Sequence, residues 1–255
     1  MEQICDDLAA EHAALDTVVA GLDEAGWTTP TPAEGWDIKD TIVHLVQADV
    51  AARIAVEDPE AFVEAKHAIA EGRGLDAFGS LEGRSGAEVL AWWRDERSRM
   101  LAAFRSRGPK DRIPWFGPDM STLSFATARL METWAHGHDI ADTVGAALPV
   151  TDRLRHVCHI GVTTRGWSYV NRGLEVPAGD VRVELEAPSG AGWTWGPPDA
   201  TDRITGDAEE FALVVTQRRH PDDTSLRAEG PLAVEWLSLA QAFAGPPTLP
   251  EGRRA

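Results

Sequence analysis

A chain of 255 residues, 43% hydrophobic and 25% charged, has the balance of a soluble globular protein and enough length for one large core or two smaller ones. Acidic residues outnumber basic ones 41 to 24, a formal charge of −17. That field repels phosphate backbones and anionic lipid, which argues against nucleic acid or a membrane as partner and favours a small-molecule substrate or a cation.

The N-terminal stretch MEQICDDLAAEHAALD carries acids where a secretion signal needs a basic start and a continuous apolar core. Apolar residues at Ile4, Leu8, Leu15, Val18, Val19 and Leu22 recur near a helical period, so residues 3–25 are expected to form a first helix. TTPTPAEGW (28–36) is a Pro/Gly break. Asp37 is then placed to cap a second helix, 38–57, with Asp40 near its positive end. A short helix near 60–70 is followed by a loop marked by Gly72, Gly74, Gly79 and Gly83. Ser85 and Glu88 have capping-box spacing and open a third long helix, 86–106. After the Pro/Gly-rich connection 107–121, a fourth helix is expected from Ser121 to Val144, stopped by Gly145. Four long helices predict a bundle.

Past Pro149 the character changes. One helix is expected over 151–172, then a strand in VRVELEA (181–187), a hairpin partner in GWTWG (192–196) and a short strand around Ile204. Helices follow at 207–218 and 231–244, punctuated by Gly230–Pro231 and Gly245–Pro246–Pro247. The predicted fold class is α+β: a helical bundle over 1–150 and a small mixed α/β domain over 151–255.

The fourth helix carries ETWAHGHD (132–139). At the helical step of about 100° per residue, Glu132, His136 and Asp139 fall within about 60° of one another, while His138 points elsewhere. A carboxylate and an imidazole at i,i+4 are close enough to share one ion and suit zinc or another first-row divalent cation. A third donor must come from another element, and His44, in the middle of the second helix, is favoured. Asp139 would then support His136 by a hydrogen bond to its other ring nitrogen. The same spacing also occurs on ordinary solvated helix faces. A rival set exists as well, Asp152, His156 and His159, and spacing alone does not choose between the two.

EGWDIKDTIVHL followed by ARLMETWAHGHDIADTVG resembles the N-terminal domain of the mycothiol-dependent maleylpyruvate isomerase family, a branch of the DinB-like metal-binding four-helix bundles. The resemblance implies His44, Glu132 and His136 as ligands of a divalent metal, commonly Zn2+, with Asp139 behind them. The stretch ITGDAEEFALVVTQRRHPDD looks like the small domain that follows the bundle in that family. There an arginine in a Gly-Arg context is implicated in activity. Here the residues are Gln217–Arg218–Arg219, with Arg218 the nearest match, Arg219 a close rival, and no glycine.

A metal with an open side implies Lewis-acid chemistry, and the resemblance adds a low-molecular-weight thiol, mycothiol, as nucleophile. The expected function is an isomerase or thiol transferase acting on a small electrophilic metabolite. A thiol-independent metal-dependent hydrolase or cyclase and a non-catalytic metal- or metabolite-binding protein are the alternatives. Cys5 and Cys158, the two cysteines, lack activating signals and are expected to be reduced, structural residues of a cytoplasmic protein. Trp115, Phe116 and Met120, just before the fourth helix, are expected either to line an apolar substrate mouth or simply to cap the bundle end. No heptad seam marks a coiled coil through which the chain would assemble.

Overall fold

The computed structural model describes residues 1–72 and 77–246; Gly74 and Pro247, read above as part of a loop and of a terminal break, lie outside them. The chain divides into two compact units, Met1–Leu148 and Pro149–Ala255.

In the first unit, α1 (Glu2–Val19), α3 (Ile38–Glu57), α5 (Gly86–Arg105) and α6 (Thr122–Val144) form a four-helix bundle, in which α1 and α3 each pack against both α5 and α6. Two short helices, α2 (Glu24–Trp27) and α4 (Pro59–Ala70), decorate it. The ends of the long helices follow from local chemistry. Asp37 accepts from the Asp40 amide at 2.8 Å while Asp40 accepts from the Asp37 amide at 3.1 Å, a complete capping box at the start of α3. Ser85 and Glu88 close the same device on α5, and Ser121 caps α6 through the Ser124 amide. Gly145 ends α6 at φ 66°, the left-handed position that a β-carbon disfavours. The connection before α6 holds a two-residue ladder, β1 (Arg112–Ile113) against β2 (Met120–Ser121).

The core is apolar, with Leu8, Ile42, Leu45, Trp93, Phe104, Phe125 and Leu130 almost fully buried. Each such side chain contributes about 1.5–3 kcal/mol. Through it runs a set of buried polar groups: His12 from α1, Asp49 from α3, and Arg129, Thr133, His136 and Asp139 from α6.

The second unit holds α7 (Leu154–Thr163), α8 (Arg165–Val170), β3 (Val181–Glu186), β4 (Gly192–Trp195), β5 (Asp202–Asp207), α9 (Ala208–Val215), β6 (Arg227–Glu229) and α10 (Pro231–Leu239). Its sheet runs β4-β3-β5-β6, with β3–β5 parallel and the other pairs antiparallel. Val181, Val183 and Leu185 are buried on one face of β3, as their alternation predicts.

Four sequence expectations change. The helix expected over 3–25 ends at Val19, and Glu24–Trp27 form the separate α2, capped by Asp23. The helix expected over 151–172 starts at Leu154 and breaks at Thr164 into α7 and α8. The hydroxyls of Thr163 and Thr164 turn back onto the carbonyls of His159, Ile160 and Gly161, a local bonding mode that competes with helix continuation. The helix expected over 231–244 stops at Leu239, because Ala240 turns extended and the Ala242 amide donates to the Val215 carbonyl at 2.8 Å. Arg227–Glu229, unassigned from sequence, adds a strand beside β5. Among the described residues no helix is long and apolar enough to cross a membrane.

Candidate metal centre

The capped start of α3 fixes His44 two turns into that helix, and α6 carries Glu132, His136 and Asp139. The two helices bring three donors together. His44 Nε2 lies 3.8 Å from Glu132 Oε2, and His136 Nε2 lies 3.5 Å from the same oxygen. One ligand atom from each residue lies within 4.8 Å of the others. Among the described residues this is the one group of three or more such donors. Donors held at about 2.0–2.2 Å around one tetrahedral ion stand about 3.3–3.6 Å apart, so closing this triad onto a cation needs only small side-chain shifts. Side-chain exposure falls from 38% at His44 to 23% at Glu132 and 11% at His136, which puts the accessible side of the cluster at His44.

Asp139, fully buried, lies with Oδ2 3.1 Å from His136 Nδ1. An Nδ1–H donating to that carboxylate leaves the Nε2 lone pair facing Glu132, the tautomer a ligand needs. Burial alone would raise the Glu132 carboxyl, but the His136 and His44 imidazoles facing it outweigh burial and hold it well below the usual carboxylate range. Burial depresses His44, and its contact with Glu132 offsets that only in part. Both directions favour neutral imidazole beside ionised carboxylate, the state that a cation requires.

An aromatic wall belongs to the cluster and was not read as such from sequence. The Trp36 ring lies 5.0 Å from that of His44 and 5.9 Å from that of His136, nearly parallel to the latter. Its signal was its place immediately before the Asp37 cap, where an apolar residue packs back on the helix it precedes.

Trp115, Phe116 and Met120 precede α6 in the chain. Trp115 stacks on Phe62 at 5.5 Å and meets Phe125 at a tilt, 4.4 Å away, and Phe116, 45% exposed, meets Phe62 and Phe78. Lys66 pins this aromatic group by donating to the Trp115 carbonyl at 2.6 Å. Met120 lies in β2, opposite Ile113. These rings pack among themselves, whereas Trp36 is the indole beside the histidines. His138 packs on Trp134 at 4.3 Å and is outside the donor group. The rival set does not gather: Asp152 accepts from the Ser189 amide and hydroxyl, and His159 Nδ1 accepts from Trp195 Nε1.

Arg218 lies in the second unit, 8% exposed, with Nη1 donating to the Thr216 carbonyl at 2.6 Å. Arg219 Nη1 donates to the Arg218 carbonyl. Gln217 before them has φ 60°, left-handed without being glycine. The Arg218 amide reaches the Leu213 carbonyl and the Gln217 amide that of Val214, so α9 ends in a Schellman motif with Gln217 in the position that glycine usually takes. The Gln217 side chain donates to the Ala240 carbonyl at 3.2 Å, a bond that offsets the strain. Both cysteines are free and buried, and burial raises both thiols, Cys158 the more strongly. Neither is an activated nucleophile.

Residues 8–141 match the profile of the mycothiol maleylpyruvate isomerase N-terminal domain. The chain belongs to that family. Uncharacterized proteins from two strains of Mycobacterium tuberculosis are each 46% identical to it over 244 residues, 94% of this chain and 95% of theirs. Crystal structures of the mycothiol-dependent maleylpyruvate isomerase and of one of its histidine-to-alanine mutants share the fold, with TM-score 0.56 at 16% identity over 91% of this chain and 95% of theirs. Residues 177–229, spanning β3 to β6, match a profile described as wyosine base formation.

Proposed function

We propose that this protein is a divalent-metal-dependent enzyme that isomerises a small electrophilic metabolite or transfers a low-molecular-weight thiol to it. Zinc is the proposed ion, held by His44, Glu132 and His136, and the proposed thiol is mycothiol, in the cytoplasm. The observation that carries this reading is the convergence of two imidazole nitrogens and one carboxylate oxygen within 4.8 Å, with the accessible side at His44. A bound divalent ion supplies Lewis acidity and stabilises a thiolate at neutral pH.

The chain's own groups do the rest. Asp139 orients His136, and Glu132 supplies the negative charge of the triad. Trp36 lays an apolar ring beside the two imidazoles, which strengthens electrostatics on that side of the site. Burial of Cys5 and Cys158 leaves no activated thiol in the chain, which supports a nucleophile supplied from outside. Arg218 is assigned to activity through the family resemblance, and its place directly after the left-handed Gln217 supports it over Arg219, because that backbone position is where a Gly-Arg pair would put its glycine.

Turnover of conjugated electrophiles by the zinc-loaded protein, with and without added mycothiol, tests the reading. Thiol-dependent turnover is expected. Turnover equal in both arms would instead establish a thiol-independent hydrolase or cyclase, and tight metal binding with no turnover would establish a binding protein.

A further inference from the structure

Behind the donor cluster lies an ion pair with no assigned task. Arg129 of α6 and Asp49 of α3 are 3% and 0% exposed. Arg129 Nε and Nη2 lie 3.0 and 2.9 Å from the same Asp49 oxygen, and Nη2 also donates to the Leu45 carbonyl at 3.3 Å. One guanidinium thus binds α3 at two points, and the Leu45 carbonyl belongs to the residue that follows His44. Higher numbers on α3 face lower numbers on α6, so the helices run antiparallel here. Arg129 stands one turn before Glu132, about 4.5 Å along the axis.

We propose that Arg129 and Asp49 form a positioning clamp that fixes the register of α6 against α3 and thereby holds His44 within reach of Glu132 and His136. The inference rests on the metal-centre reading above. Its physical basis is that Glu132 and His136 share one helix, so their spacing is set by backbone hydrogen bonds, while His44 arrives from another. Apolar packing between helices is non-directional and tolerates sliding. A buried ion pair does not, because slippage would strand a charge away from water. One turn of slip, about 5.4 Å, would carry His44 out of range of the other two donors.

Three variants, probed with Zn(II) and Co(II) alone, decide it. In D49L/R129M the pair is replaced by apolar side chains, a change that buried pairs generally tolerate in folding. In R129K the charge remains, but a single ammonium does not span Asp49 and the Leu45 carbonyl as the fork does. The control, R53M/E96L, removes another ion pair anchoring α3, between Arg53 and Glu96 at 2.9 Å, which faces α5 instead. Zinc affinity is expected to fall about tenfold or more in the first two, the usual cost of losing a residue that supports a metal ligand, and to stay unchanged in the control. The visible spectrum of the Co(II)-loaded protein should change in the first two alone, reporting altered donor geometry that a general loss of stability would not produce. Wild-type affinity and spectrum in both D49L/R129M and R129K would overturn the clamp while leaving the metal centre standing, and so would equal losses in the control. A wild-type protein that binds neither ion overturns the metal centre and the clamp with it.

Discussion

Two stretches carry nearly the same spacing of acids and histidines, Glu132/His136/Asp139 in α6 and Asp152/His156/His159 at the start of the second unit. In α6 all three residues are helical and inside the helix, so the spacing is real geometry: His136 faces both carboxylates, at 3.5 and 3.1 Å. In the second stretch α7 begins only at Leu154, so Asp152 lies in the turn before it and bonds Ser189 instead. His159 there, at the surface, accepts from a tryptophan instead. One helix face offers at most a pair of donors; what distinguishes α6 is a second helix packed on that face and carrying His44.

The largest expected effect breaks the comparison directly. His44→Ala and Glu132→Ala should each remove bound divalent metal from the purified protein, a loss exceeding the about 10- to 100-fold that removal of a supporting residue costs. His156→Ala and His159→Ala should leave it unchanged. Metal content by mass spectrometry reads both, and retention in the first pair or loss in the second would reverse the assignment.

Asp139→Ala comes next. With the carboxylate gone, Nδ1 and Nε2 of His136 compete for the proton, and metal affinity should fall about 10- to 100-fold with all three donors still present. Competition with a coloured chelator measures it. Unchanged affinity would mean that the hydrogen bond to Asp139 does not set the tautomer.

How far the site was legible in the sequence follows from the same contrast. The pair on α6 could be read by counting, since helical periodicity places residues within one helix. His44 could only be favoured from its mid-helix place, because its distance to Glu132 depends on how α3 packs against α6; the resemblance between whole segments is what chose it. The Arg129–Asp49 pair spans 80 residues of chain and has no spacing to count. Trp36 was visible as the residue before a cap, but its contact with two imidazoles is tertiary. Capping boxes at Asp37 and Ser85 and the stop at Gly145 were legible because each is decided within a few residues. The break at Thr164 was missed because apolar periodicity continues across it while side-chain hydroxyls redirect the backbone.

A histidine without facing carboxylates sharpens the comparison from another side. His12 is 1% exposed, and neither ring nitrogen has a hydrogen-bond partner. Burial, reinforced by Arg97 and Arg129, holds its imidazole well below the usual value. The unfolded chain therefore takes up a proton below about pH 6.5 that the folded chain does not, so stability falls with falling pH by up to about 1.4 kcal/mol per unit from this residue. Urea unfolding of His12→Leu should show an acid limb flatter by one proton below pH 6.5. Parallel limbs in wild type and variant would mean that His12 is protonated in the fold.

The smallest effect belongs to the stretch that fails to gather. Asp152 accepts two hydrogen bonds from Ser189, at 3.0 and 2.7 Å, both at the surface. Water competes for such bonds, so Asp152→Ala should cost about 0.5–1.5 kcal/mol in chemical denaturation. It should leave metal content, metal affinity and the Co(II) spectrum untouched. If Asp152 instead contributed to a metal centre, the order of effects would invert: metal would be lost along with stability, and added zinc would no longer raise the melting temperature as far as it does in the wild type. An acid that fastens a turn loses only what the turn was worth, whereas an acid that completes a donor set takes the ion's binding energy with it.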